Sequence, residues 1–171
     1  MTGTDQIAGR IRLAIFDVDG VFTDGRLFFT SEGEEIKVFS VRDGLGVKRL
    51  QAAGVEVAVI SGRASDALTL RMEELGISRH FQGDHDKLPL LRRLLEEMKV
   101  SADEVAYMGD DLPDLAVMRE IALPAAPSDA VEEVLAASRW VSTRPGGHGA
   151  VREFCEYIVA SRPSRAKDPV S

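Results

Sequence analysis

The sequence predicts an α/β fold in which a parallel sheet is covered by helices on both faces, a three-layer, Rossmann-like architecture. Short apolar runs alternate with helical patterns along most of the 171 residues. Several runs, "VEVAVI" and "VAYM" among them, are almost wholly apolar, as strands buried on both faces are. Polar residues able to do chemistry stand just beyond these runs, where open parallel sheets bind ligands.

In chain order, "RLAIF" reads as the first strand. "GLGVKRLQAAG" reads as a helix closed by Gly54. "VEVAVIS" is a strand, and "ASDALTLRMEELG" an amphipathic helix ending at Gly76. "HFQG" is a short strand. "DKLPLLRRLLEEM" is a helix that tolerates Pro89 because it falls in the first turn. "VAYMG" and "LPAAP" are strands around the helix "PDLAVMREI". "SDAVEEVLAAS" is a helix expected to be capped by Ser128 or Asp129. "WVST" is the last strand and "GAVREFCEYIVAS" the last helix.

One stretch interrupts the alternation. "GRLFFTSEGEEIKVFSV" has two β-rich arms around a polar turn and reads as a β-hairpin, about 26–41, inserted after the first strand. Its apolar side chains, Leu27, Phe28, Phe29, Ile36, Val38 and Phe39, are expected to be exposed and to serve assembly, because a lone hairpin cannot hide both faces. The ends look loose: Met1 to about Ala8, and "SRPSRAKDPVS" from Ser161. The expectation is one domain over 9–161 with a flexible tail at 162–171.

Hydrophobic residues make up 44% of the chain and charged ones 29%, which excludes a disordered body. A formal charge of −7 argues against nucleic-acid and anionic-membrane partners, though a local cation can reverse the field of one pocket. The single cysteine, Cys155, lies on a helical apolar face and reads as a buried structural thiol. The N-terminus lacks a basic and then apolar leader, and no run reaches membrane-spanning length; a cytoplasmic protein is expected.

The residues beyond the strands form a chemical set. Asp17 and Asp19 follow the first strand. Ser61, Gly62 and Arg63 follow "VEVAVI". Asp110 and Asp111 follow "VAYMG", with Asp114 shortly after, and Lys87 opens the helix before that strand. Clustered carboxylates need a cation or a proton between them. Oxygen ligands without a histidine or cysteine cluster indicate Mg²⁺ rather than zinc. A hydroxyl and an ammonium suit phosphoryl oxygens, and two aspartates at i and i+2 can serve as nucleophile and proton carrier. Singly, each feature has a plainer reading: Asp-x-Asp as a strand end, Ser61-Gly62 as a turn, Lys87 as a solvated helix residue, Asp114 as a helix-start charge. Jointly, at the same ends of successive strands, folding alone does not account for them.

"DVDGVFTDG", "ISGR", Lys87 in "DKL" and "GDDLPD" resemble, in order, the motifs of haloacid-dehalogenase-type phosphatases, over about 11–158. "VFSVRDGLGVKRL", "YMGDDLPDLAVM" and "RPGGHGAVRE" are similar, more narrowly, to the family that hydrolyses 3-deoxy-D-manno-octulosonate 8-phosphate (KDO 8-phosphate) on the way to lipopolysaccharide. The resemblance implies that Asp17 is the nucleophile and that Asp19 protonates the leaving oxygen and then activates water. It implies that Asp17, the backbone carbonyl of Asp19, and Asp110 hold Mg²⁺, and that Ser61 and Lys87 bind the phosphoryl group. Gly62 and Arg63 would contact substrate, Arg63 at the sugar carboxylate, and Asp111 and Asp114 would support the metal and Lys87. The resemblance also implies a homotetramer with sites at subunit interfaces. Only 18 residues separate Asp24 from Asp43 and 25 separate Ser61 from Lys87, so neither gap holds a cap domain. Three alternatives stand beside this: a phosphatase of a nine-carbon 2-keto-3-deoxy acid 9-phosphate, a phospho-accepting receiver-like signalling module, and a catalytically idle oligomerisation module. The order of the acids disfavours the receiver, and the intact motifs disfavour the idle relative.

Overall fold

The structure is a computed structural model that describes residues 2–163. Strands β1 (Leu13–Phe16), β4 (Glu56–Ser61), β5 (Arg79–Gln82), β6 (Val105–Met108), β7 (Leu123–Ala126) and β8 (Trp140–Val141) form a six-stranded sheet in the order β5-β4-β1-β6-β7-β8. Every pairing in it is parallel. Strands β2 (Phe28–Phe29) and β3 (Glu35–Ile36) pair antiparallel as a separate hairpin. The helices are α1 (Gly3–Ala8), α2 (Val41–Ala52), α3 (Asp66–Leu75), α4 (Lys87–Met98), α5 (Leu115–Met118), α6 (Glu132–Ala137) and α7 (Ala150–Ser161). The predicted three-layer α/β class is the observed one. No helix among the described residues is long and apolar enough to cross a membrane.

The period-two geometry of β1 divides the core. Ala14 and Phe16 face a cluster with Val47 and Leu50 of α2, Leu68 and Met72 of α3, and Phe154 and Ile158 of α7. Leu13 and Ile15 face the opposite cluster, with Leu91 and Leu94 of α4, Val117 of α5 and Val134 of α6. Both neighbours of β1 are strands, so all four of its residues are fully buried. Phe154 lies edge-on to Phe16, with ring centres 6.2 Å apart, and beside Trp140 at 4.9 Å. Truncating such a ring to alanine costs about 3–5 kcal/mol. Cys155 is buried on the same helix, and burial pushes its thiol up, as a structural thiol requires.

Several boundaries differ from the sequence reading. Thr2–Ala8 is not loose, Met1 lying outside the described residues: α1 begins with a reciprocal capping box between Thr2 and Asp5, and the Tyr157 hydroxyl of α7 donates to Asp5 Oδ1 at 3.0 Å. Helix α2 starts before Gly44, because Ser40 Oγ accepts from the Arg42 N–H at 3.2 Å. Helix α6 is capped by neither Ser128 nor Asp129. It begins after Val131, and Asp129 Oδ1 instead accepts the Gly146 N–H at 2.9 Å. The hairpin leaves Leu27, Phe28, Phe29, Ile36 and Val38 exposed, but Phe39 folds back against the core under Arg71. The expected tail lies, beyond Pro163, outside the described residues.

Candidate active site

Because β1 runs between β4 and β6, the residues ending these three strands become neighbours. The Asp17 N–H still donates to the Met108 carbonyl at 3.0 Å, so Asp17 leaves the sheet with fixed direction. Ser61 is the last residue of β4, and Asp110 lies two past the end of β6. Lys87, the first residue of α4, reaches into the same place. A cleft of about 280 Å³ is lined by Asp17, Asp19, Gly62, Arg63, Lys87, Asp110, Asp111 and Asp114, with Gly25, His85 and Pro113.

At its floor, Lys87 Nζ donates to Asp17 Oδ1 at 2.6 Å and to Asp114 Oδ1 at 2.7 Å. Asp114 is saturated. Its Oδ1 also accepts the buried Tyr107 hydroxyl at 2.5 Å, and its Oδ2 accepts the N–H groups of Asp110 and Asp111 at 2.9 and 3.2 Å. Asp114 therefore clamps Lys87 and the turn carrying Asp110. Asp111 is exposed; its carboxylate caps that turn through the Leu112 N–H at 2.7 Å and makes no hydrogen bond to Lys87 among the described residues. Ser61 is buried, with Oγ donating to the Arg63 carbonyl at 2.9 Å and accepting the Arg63 N–H at 3.2 Å.

The electrostatics are unbalanced. Asp17, Asp110 and Asp114 each bring an oxygen to a common space within 4.8 Å of the others, against one lysine. Burial, then repulsion from Asp114, raises the Asp17 carboxyl to about 6 although Lys87 opposes it. Burial, then Asp17, Asp114 and Asp111, raises Asp110 to about 8. Burial alone would lower the Lys87 ammonium, but Asp17 and Asp114 outweigh it and hold it raised. Asp110 Oδ1 is buried without a hydrogen-bond partner. An unpartnered buried carboxylate oxygen beside a second carboxylate fits a hard divalent cation.

The loop after Asp17 is wound around the Val18 carbonyl, which accepts from Val21, Phe22 and Thr23 at 3.2, 2.9 and 3.1 Å. Gly20, at φ +88°, lies against Asp110. The segment "RPGGHG" packs on this loop of its own chain: the Gly147 N–H donates to the Val21 carbonyl at 2.9 Å, and a side chain at Gly146 would collide with the Gly20 carbonyl. The hairpin adds Glu35 and Lys37. Lys37 Nζ is paired with Asp19 Oδ1 and lies 3.5 Å from Glu35 Oε1. Arg63 reaches Glu35 Oε1 at 3.1 Å and stands 4.0 Å from Asp19 Oδ2. The sequence reading did not single out Glu35, Lys37, His85 or Tyr107. The i, i+2 spacing of Glu35 and Lys37 was the available signal, since extended backbone sets both on one face.

A parallel sheet with Asp-x-Asp at one strand end and Ser, Lys and a second acidic turn around it is the arrangement of the haloacid-dehalogenase-type phosphatases. No family model matches the chain. It is 42% identical over 157 residues to the KDO 8-phosphate phosphatase of Yersinia pestis, covering 92% of this chain and 84% of that one. Among solved structures, the KDO 8-phosphate phosphatase of Moraxella catarrhalis, in complex with magnesium, phosphate and KDO, superposes with a TM-score of 0.92 at 41% identity, covering 95% of this chain and 93% of that one. The cobalt-bound form of the phosphatase from Haemophilus influenzae gives 0.88 at 40% identity, covering 92% and 91%. The chain belongs to the KDO 8-phosphate phosphatase family and is a phosphomonoester hydrolase.

Proposed function

We propose that this protein is a Mg²⁺-dependent phosphatase that converts KDO 8-phosphate to KDO and inorganic phosphate through an aspartyl-phosphate. It would act in the cytoplasm, in the supply of lipopolysaccharide precursors. The observation that carries the reading is the excess of buried carboxylate at Asp17, Asp110 and Asp114 over Lys87, with Asp110 Oδ1 unpartnered. The Moraxella relative binds magnesium, phosphate and KDO.

Asp17, Asp110 and the Asp19 carbonyl would hold Mg²⁺. Asp114 is unsuited, because both its oxygens already accept hydrogen bonds. When bound, the ion neutralises the carboxylates and draws charge from the phosphoryl oxygens. Lys87 and Ser61 bind the remaining oxygens, and Lys87 also lowers the cost of keeping Asp17 ionised. The Asp17 carboxylate attacks phosphorus as the bond to the sugar oxygen breaks. Asp19 gives its proton to that oxygen, and the alcohol leaves. Asp19, now a carboxylate, takes a proton from water, whose oxygen attacks phosphorus and releases phosphate and free Asp17. Asp111 acts only by capping the turn that carries Asp110. Gly62 and Arg63 face the sugar. The hairpin's exposed side chains assemble subunits into a homotetramer, which substitutes for the absent cap. The negative charge gives no basis for a nucleic-acid partner.

The test is phosphate release from KDO 8-phosphate in Mg²⁺ and in EDTA, by wild type and Asp17→Asn. Turnover should need Mg²⁺ and fall by several powers of ten in the variant. Near-normal activity in Asp17→Asn would overturn the mechanism. A higher kcat/KM for a nonulosonate 9-phosphate would move the substrate to the nine-carbon acid.

A further inference from the structure

The hairpin carries a lysine that does not behave as a surface lysine. The Lys37 side chain is 3% exposed, although Phe28, Phe29, Ile36 and Val38 around it are open to solvent. Burying an ammonium is costly unless it is paired. Its partners are Asp19 Oδ1 and, at 3.5 Å, Glu35 Oε1. Glu35 in turn binds Arg63 at 3.1 Å, and Arg63 stands 4.0 Å from Asp19 Oδ2. The charges alternate around a ring: Asp19, Lys37, Glu35, Arg63.

The ring treats the two oxygens of Asp19 differently. Asp19 lines the cleft, with Oδ1 held by Lys37, whereas Oδ2 makes no hydrogen bond among the described residues and has only Arg63 nearby, at 4.0 Å. A carboxylate on a strand-end loop otherwise turns freely about its last torsion. Proton transfer requires one particular oxygen within hydrogen-bond reach of the leaving group. We infer that Lys37 is a positioning residue for the acid–base step: by holding Asp19 Oδ1 it presents Oδ2 to the leaving oxygen, and Glu35 holds Lys37 in place. The hairpin is thereby part of the catalytic apparatus of its own chain, apart from any role in assembly. This rests on the reading of Asp19 as proton donor.

The readout is dependence on the leaving group. Phenyl phosphate and 4-nitrophenyl phosphate have nearly the same shape, but phenolate is the poorer leaving group and gains more from a proton. Wild type, Asp19→Asn, Lys37→Met, Lys37→Arg and Glu35→Gln, each as full-length chain with Mg²⁺, are compared on both esters and on KDO 8-phosphate. Thermal unfolding and light scattering check fold and assembly. Lys37→Met should lower kcat on phenyl phosphate and KDO 8-phosphate about tenfold or more beyond its effect on 4-nitrophenyl phosphate, within the range of a lost acid–base contribution. KM should change little, whereas loss of a direct sugar contact would raise KM for KDO 8-phosphate alone. Lys37→Arg should restore part of the difference. Glu35→Gln should show a smaller loss of the same kind, and it decides the matter if Lys37→Met does not fold. If Asp19→Asn shows no leaving-group dependence, the proton-donor reading fails. If Asp19→Asn shows it while Lys37→Met and Glu35→Gln lose equally on both esters, or gain on phenyl phosphate, the positioning role alone is overturned.

Discussion

Gly20 and Asp110 occupy one space: a Cβ at position 20 would overlap the Asp110 carboxylate, and the backbone of Gly20 already sits at φ +88°. The contact draws the acidic turn after β6 against the loop after β1. Only glycine allows it, both for lack of a side chain and for the left-handed backbone.

Gly20→Ala should therefore move Asp110. The expected result is a rise of about tenfold or more in the Mg²⁺ concentration for half-maximal activity, with stability lowered by about 1–3 kcal/mol from strain. Metal titration of activity and thermal unfolding measure the two. An unchanged metal requirement would mean that Asp110 is not a ligand.

The carboxylate cluster makes stability depend on pH. Without a cation, Asp17 and Asp110 are raised to about 6 and about 8, from 3.8. The folded protein then holds protons that the unfolded chain releases, so the metal-free protein loses stability as pH rises from about 4 to about 8. Mg²⁺ held by this pair would take the place of those protons. The gain in melting temperature from Mg²⁺ over EDTA should be larger at pH 8 than at pH 6. Calorimetry that found the gain constant or shrinking with pH would count against a shared metal at this pair.

Lys87→Met should damage stability and turnover together. It removes the only cation bonded to Asp17 and Asp114 among the described residues. Leaving buried carboxylates without their partner costs about 3–5 kcal/mol. Turnover should fall sharply, while the half-saturating Mg²⁺ concentration should not rise; Asp110→Asn should raise it. If the two variants shifted the metal titration alike, their separate roles would be lost.

The hairpin offers a test of assembly. Phe29 is 57% exposed and Ile36 50%, so exchanging both for serine should cost a lone subunit little. A tetramer built through these side chains should fall to smaller particles in light scattering. Unchanged particle mass would place the interface elsewhere.

Much of the site was legible because its chemistry sits at strand ends, where sequence period and residue type agree. Asp17, Ser61 and Asp110 stood out for that reason, and Lys87 and Asp114 because they stand where the neighbouring helices begin. Tyr107 did not, because in "VAYM" it reads as one more core residue; its hydroxyl finds Asp114 only through the turn after β6. Lys37 looked like a hairpin surface charge, and its burial depends on where the hairpin folds over Asp19. The capping box of α1 was written in Thr2 and Asp5, but so short a helix persists only by packing on α7, which no local pattern displays. Asp129 has the chemistry of a helix cap and spends it on Gly146.

The brace on the loop of Asp17 and Asp19 has a consequence for synthesis. Asp17 and Asp19 leave a ribosome before the glycines that pack on their loop and before helix α7 behind them. Asp43 of α2 accepts the N–H of Arg152 at 2.8 Å across 109 residues, which ties the docking of α7 to the front half of the chain. Domains fold as units during translation. A nascent chain halted before Gly146 thus carries both aspartates without the support that shapes their loop. Phosphoester hydrolysis should therefore appear on arrested ribosomes only in chains extended far enough beyond Ser161 for α7 to clear the exit tunnel.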